Sequence, residues 1–266
     1  LDGGDVKYAI SVDAEGLACV VGAPGGTLND HKANYEFACR QGAREADAAV
    51  RALFDSGATE VIVIDSHGSG LNLDYELIDK RCDISLGSGS ELRLPAVTED
   101  TAGMLLIGYH AMDNTSDAVI AHSYSSMTYQ SIKVNGRECG EIAIDAAIAG
   151  SRGVPVMFVA SDDKGVAEAK KFLPWVETVM TKRSLGYNVA ISKHPLRVLD
   201  DLYAGVKRAT SRRAEMKPFA FDSPITIEMR YKRIEGAQAR SRDHSGWERV
   251  DAYTIRKTAE RITDFY

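Results

Sequence analysis

Three stretches of the sequence, "TEVIVID" (59–65), "MLLIGYH" (104–110) and "VPVMFVASDD" (154–163), open as nearly unbroken apolar runs rich in β-branched residues. A half-exposed strand alternates apolar with polar residues; a run without alternation has to be covered on both faces, the condition of a parallel sheet. The segments between the runs have the patterns needed to cover it. Residues 34–56 place Phe37, Ala38, Cys39, Ala46, Val50, Leu53 and Phe54 at roughly helical spacing, with Gly57 as the stop. "GEIAIDAAIAG" (140–150), closed by Gly150, and the stretch near 164–173 read as two more helices. Ahead of them, Val6, Tyr8, Ile10 and Val12 alternate with Lys7, Ala9 and Ser11 as a first strand. Strand, helix, strand spells a βαβ unit, and the expected fold class is α/β, a three-layer core built on a parallel sheet.

Two local signals fall outside this frame. "AVIAHSYS" (118–125) is a further candidate strand, and Asn135-Gly136 in "SIKVNGREC" (131–139) marks a hairpin. From about residue 190 the texture changes: 194–217 reads as one amphipathic helix, while "SPITIEMRYKR" (223–233) and "RVDAYTIRKTA" (249–259) read as half-exposed antiparallel strands. The expected organisation is a metal-binding, catalytic α/β body over 1–190 and a smaller α+β portion over 191–266.

Composition removes several classes of function. With 44% hydrophobic and 26% charged residues the chain can bury a sizeable core, which argues against disorder. The formal charge is −6 and the basic residues are scattered except over 205–217, which speaks against a nucleic-acid partner. No apolar run approaches the ~20 residues of a membrane span, and residues 1–5 carry no leader pattern, so a soluble, cytoplasmic protein without a membrane partner is expected. Cys19, Cys39, Cys82 and Cys139 are widely spaced and read as reduced structural thiols.

In open parallel sheets ligands bind outside the carboxyl ends of the strands. The first strand ends in "SVDAEG", which delivers Asp13 and Glu15; the second run delivers Asp65, Ser66 and His67; the third ends on His110; and the 118–125 stretch carries His122 and Ser123. Three of the six histidines and two carboxylates therefore belong on one rim. Neutral imidazole and carboxylate suit Zn²⁺, and a carboxylate with two oxygens can bridge a pair of ions. Asp13 and Glu15, at i and i+2, point to the same side of an extended chain, where a cation would relieve their repulsion. Each piece alone has a plainer reading. Asp-x-Glu-Gly is a common turn, His110 suits a core, Glu141 is favourable at a helix start, and Asp162-Asp163 can cap a helix. Gly68 and Gly70 hint at a phosphate loop, but the Walker lysine and the full dinucleotide pattern are missing. Coincidence at strand ends favours a hydrolytic metal centre.

"SVDAEG" (11–16), "DSHGSGLN" (65–72), "IGYHA" (107–111), "AHS" (121–123), "NGRECGE" (135–141) and "VPVMFVASDD" (154–163) follow the order and approximate spacing of the D-aminopeptidase DppA family, the M55 zinc peptidases. The chain resembles that family strongly over residues 6–190 and in outline beyond. The resemblance implies a binuclear zinc site, removal of N-terminal D-amino acids from short peptides, and a ring-like homo-oligomer such as a decamer. Motif by motif, it implies Asp13, as the bridge, with Glu15, His67, His110 and Glu141 as ligands of two Zn²⁺ per chain, and His122 as the catalytic residue. Ala121 departs from the family's serine, the 110–122 loop is one residue longer, "SDD" replaces "GDD", and "LACVVGAPGGTLND" (17–30) is peculiar to this chain. These departures bear on substrate preference rather than on metal binding.

The expected function is a zinc-dependent amide hydrolase. It would act as an aminopeptidase on short peptides or aminoacyl amides, with D-residue selectivity as one form of it. A metal-bridging hydroxide would attack, and His122 would handle protons or stabilise the oxyanion. A metallo-phosphoesterase on the same cage is the first alternative; it needs Lys or Arg near the cage, and the strand-end motifs supply none. The second is a non-catalytic, metal-stabilised oligomeric binding protein, against which His122 argues, since it has no metal duty in the leading scheme.

Overall fold

The apolar runs and the first strand become neighbours in one sheet. The structure, a computed structural model, describes residues 5–242 and 246–265. The leader reading of residues 1–5 thus lies, apart from Asp5, outside the described residues. In chain order come β1 (Lys7–Val12), α1 (Lys32–Phe54), β2 (Glu60–Asp65), β3 (Asp83–Ser85), β4 (Thr101–Tyr109), the hairpin β5 (Tyr129–Val134) and β6 (Arg137–Glu138), and α2 (Glu141–Gly150). There follow β7 (Val156–Ser161), α3 (Asp163–Phe172), β8 (Glu177–Met180), the hairpin β9 (Lys182–Gly186) and β10 (Val189–Ser192), and α4 (Pro195–Ser211). Last are β11 (Ile225–Tyr231), α5 (Ile234–Arg240), β12 (Glu248–Arg249) and β13 (Thr254–Ala259).

Six parallel strands pair in the order β3-β2-β1-β4-β7-β8. The order reverses between β1 and β4, the switch point at which such sheets open a crevice. Tyr8, Ile10 and Val12 of β1 pack into the core shared with α1 and α4, while Ala9 faces the other core, with Met104, Leu106 and α2. Helices thus cover both faces, as the unbroken apolar runs require. A second, five-stranded sheet, β12-β13-β11-β5-β6, shares the core of α2. That double cover explains why residues 140–150 are apolar all round rather than striped.

Two expectations are corrected. Residues 118–125 form a loop, not a strand: Asp117, Ile120 and Tyr124 have positive φ, and Ala118, Val119 and Ile120 are buried as a loop laid over the core. The 194–217 helix ends at Ser211 and passes into a 3-10 turn over Arg213–Glu215. Beyond residue 190, α4 packs on α1 and β11 pairs with β5 of the earlier hairpin. That hairpin turns on Asn135 and Gly136, both left-handed, as expected.

β1 and β4 run into the crevice in unusually close contact. Beyond β1, the Asp13 N–H donates to Ile107 O at 2.8 Å and the Gly16 N–H to Gly108 O at 2.7 Å. Gly108 sits at φ +72° in an irregularity of β4, and a Cβ there would lie 2.1 Å from Asp13 O. A Cβ on Gly16 would lie 1.8 Å from Tyr109 O. Both glycines are needed for backbone to meet backbone. Gly108→Ala should therefore cost at least about 1–3 kcal/mol by chemical denaturation; a loss below about 0.5 kcal/mol would show that the approach is not tight.

Candidate metal centre

Asp13 stands at the centre of the rim and faces a histidine with each of its oxygens. Its Oδ1 is 2.9 Å from His67 Nδ1, and its Oδ2 is 3.4 Å from His110 Nε2. Glu15 Oε2 lies 3.2 Å from the same His67 nitrogen, and Glu141 Oε1 lies 3.4 Å from the same His110 nitrogen. Two triads therefore share one carboxylate: Asp13, Glu15 and His67 on one side, Asp13, His110 and Glu141 on the other. The loops after β1, β2 and β4 and the first turn of α2 each bring a part of it. Asp13 and Glu15 converge through a turn over 13–17 rather than through strand pleating, a correction to the i, i+2 argument.

The donor set and its loose ends fit a divalent metal. Asp13, Glu15, His110 and Glu141 are each less than a tenth exposed. Among the described residues, Glu15 Oε2 and His110 Nε2 are buried without a hydrogen-bond partner, and both point into the cage. An orphaned buried carboxylate oxygen is costly, and a cation removes the cost. His110 Nδ1 lies 3.0 Å from Ala111 O, a pure acceptor, so Nδ1 carries the proton and Nε2 is the free ligand atom. His122 is set the same way, with Nδ1 2.8 Å from Ile120 O, and its ring stacks on His110 at 4.0 Å. Ligand atoms of His110, His122 and Glu141 lie within 4.8 Å of one another, so His122 stands within ligand reach as well as beside the cage.

Braces behind the cage come from residues the strand-end argument left out. Asp145, fully buried one helical turn after Glu141, holds Arg93 through Nε at 3.0 Å and Nη2 at 2.7 Å, and accepts from Tyr109 OH at 2.7 Å. Arg93 Nη2 is 3.7 Å from Glu141 Oε2, and the Tyr124 N–H donates to Glu141 Oε1 at 2.6 Å. Asp65 is a brace rather than a ligand: it accepts from the Asn72 and Leu73 N–H groups at 2.6 and 2.9 Å, and Asn72 Nδ2 donates to His67 O. Asp162 and Asp163 have structural duties: Asp162 caps α3, and Asp163 accepts from the Ser184 N–H. Arg93 supplies the cation that the strand ends lack. Its loop has no periodic pattern, but an aspartate inside an otherwise apolar helix, Asp145, was a legible sign that a buried partner exists. The cage opens into a cleft of about 440 Å³ walled also by residues 27–30 and 125–127.

The sequence model of the M55 peptidase family, described as D-aminopeptidase, matches residues 6–266. A D-aminopeptidase of Bacillus subtilis (strain 168) is 35% identical over 182 residues, 68% of this chain. That alignment spans 65% of the relative's own length. Among solved structures, the Zn-dependent D-aminopeptidase DppA from Bacillus subtilis, described as a self-compartmentalizing protease, superposes with a TM-score of 0.89 at 25% identity, covering 97% of this chain and 93% of that one. No helix among the described residues is long and apolar enough to cross a membrane.

In the metal-free protein the cage neutralises itself with protons. Burial alone would drive His67 and His110 neutral, but Glu15 and Asp13 beside the first, and Asp13 and Glu141 beside the second, hold both imidazoles well above their usual value. Burial would likewise raise Asp13 and Glu141; the same histidines reverse it and lower both carboxyls. The histidine contribution to stability is full below the unfolded value of about 6.5 and is lost as pH rises through the raised values. The carboxylate contribution is present above about 4 and is lost as pH falls through the lowered values. Zn²⁺ needs neutral imidazole, so below the raised values each displaced proton costs it up to about tenfold in affinity per pH unit. The gain in melting temperature on adding Zn²⁺ to chelator-stripped protein should therefore grow from about pH 6 to pH 8.5; a gain that shrinks over that range would remove the histidines from the cage.

Proposed function

The chain belongs to the M55 D-aminopeptidase family, and from that premise we propose that it is a zinc-dependent aminopeptidase, selective for D-residues, that acts on short peptides or aminoacyl amides. The observation that carries this reading is Asp13, whose two oxygens face histidines from two different strand ends. Asp13, Glu15 and His67 would hold one Zn²⁺, and Asp13, His110 and Glu141 the other. Zinc bound there supplies Lewis acidity to the scissile carbonyl and lowers the pKa of water.

The chain's own groups do the rest. His122 is anchored through Nδ1 to a backbone carbonyl, which leaves Nε2 able to take a proton from the attacking water and pass it to the departing amine nitrogen. Stacking on His110 fixes the plane of its ring. The acids of the cleft, with Asp30 on the far wall, favour a substrate that presents an ammonium group. The 17–30 loop forms that wall at residues 27–30 and is the place where preference for one chirality would be set. A phosphoesterase needs several cations around the phosphate, and Arg93 is the only Lys or Arg among the described residues that line the cleft.

A homo-oligomer is part of the same reading. Leu185, Tyr187, Val189 and Ile191 on the β9–β10 hairpin and its turn are all more than two-fifths exposed, an apolar row that a second copy of the chain would cover. Light scattering at micromolar concentration should report a mass well above the 28.9 kDa monomer, and a monomer would refute the assembly.

The activity is tested with D- and L-aminoacyl amides, with and without chelator, on wild type and on His122→Ala. Wild type should cleave the D-series, lose activity on chelation and regain it with Zn²⁺. His122→Ala should keep both metals and its melting temperature while kcat falls ~10²–10³-fold or more, with little change in KM. A fully active or metal-free variant would take His122 out of the proton-transfer role.

A further inference from the structure

Arg93 stands where two cavities meet. The cleft over the cage, about 440 Å³, and a second cavity of about 210 Å³ share Ser66, Gly68 and Arg93 as lining residues. Ser85, Ser88 and Ser90 line the second cavity, and Glu91 lies on its exposed rim. Arg93 spends Nε and Nη2 on Asp145, and its Nη1 has no hydrogen-bond partner among the described residues. Among the described residues that line the larger cleft it is the only Lys or Arg, in the company of Asp13, Glu15, Asp30 and Glu141.

The geometry points to Arg93 Nη1 as the anchor for the C-terminal carboxylate of a dipeptide, at the junction of the two cavities. This favours a dipeptide with a free C-terminus over the same dipeptide amidated, and it rests on the aminopeptidase reading. Reach decides it. In a dipeptide the scissile carbonyl carbon and the terminal carboxylate carbon are one residue apart, at most about 3.6 Å. The carboxylate C–O bond and a charge-assisted hydrogen bond add about 1.2 Å and about 2.7–2.9 Å, so the anchor has to stand within about 7–8 Å of the bond being cut. The guanidinium is one carboxylate removed from the cage: its Nη2 is 3.7 Å from Glu141 Oε2, and the sister oxygen of Glu141 is 3.4 Å from His110 Nε2. Asp145 and Glu141 offset part of the arginine's charge, so the selectivity comes from a directed N–H rather than from net potential.

The test compares alanylglycine with alanylglycinamide, the N-terminal alanine in D and in L form, on zinc-loaded wild type, Arg93→Gln and Arg93→Lys, with metal content measured alongside. Wild type should prefer the free acid by about 10–100-fold in kcat/KM, chiefly through KM. The acid-to-amide ratio should collapse toward one in Arg93→Gln and recover in part in Arg93→Lys. Equal cleavage of acid and amide by wild type overturns the anchor and leaves the aminopeptidase reading standing. Cleavage of neither peptide overturns that reading and the anchor with it. A wild-type-like acid-to-amide ratio in Arg93→Gln or, where that variant releases metal through Glu141, a ratio of one in metal-replete Arg93→Lys also overturns the anchor.

Discussion

Three carboxylates, Asp13, Glu15 and Glu141, lie almost fully buried around two histidines at the point where the sheet order reverses. Like charges withdrawn from water repel strongly, and the surroundings are arranged to tolerate them. The Ala14 and Tyr124 N–H groups donate to Asp13 Oδ1 and Glu141 Oε1, the oxygens that also face His67 and His110. Arg93 stands beside Glu141, and the first turn of α2 puts a helix N-terminus beneath it. Asp13 Oδ2 receives none of these N–H groups, and Glu15 Oε2 and His110 Nε2 make no hydrogen bond among the described residues. Support that leaves such atoms free is the arrangement of a cation site, and it differs from a buried salt bridge in which every group is spent on its neighbour.

The loop that carries Glu15 has a support of its own. Lys182, fully buried, directs its Nζ at the carbonyls of Glu15, Leu17 and Val20, and Glu45 accepts from the Ala18 N–H at 3.0 Å. Burial pushes Lys182 down to about 8 and Glu45 up to about 7. The bonds these two make to backbone groups hold the turn in one shape. The 17–30 loop is thus pinned at its start, and at 27–30, where it walls the cleft, Leu28 is buried in the core and Thr27 is tied to Asp30.

What could be read from the sequence was set by local pattern. β1, β2, β4 and β7 were legible because a strand covered on both faces has no choice but an apolar run, and the residues ending the first three of those runs are the ones that meet in the cage. Gly16 and Gly108 were visible only as letters; their reason is a contact between two backbones 92 residues apart in sequence, 108 minus 16. Residues 118–125 misled because burial of Val119 and Ile120 comes from a loop lying on the core, which has the same local composition as a short strand. Arg93 and Lys182 sit in segments without periodicity, and their partners are long-range: Asp145 in α2 for the first, the carbonyls of residues 15–20 for the second. Local pattern cannot express such pairs.

The C-terminal quarter of the chain enters the site through α2. Glu141 and Asp145 lie on one face of that helix, and Ile142, Ala146 and Ala149 are as deeply buried as the residues between them. A helix with no polar face cannot be held by one sheet, because half of its surface would stay wet. Ile225 and Ile227 of β11 and Ile255 of β13 complete the core around α2. The position of the third carboxylate therefore depends on strands more than eighty residues further along, 225 minus 141 being 84. The later strands hold the helix, the helix holds Glu141 and Asp145, and Asp145 holds Arg93 at the mouth of the cage.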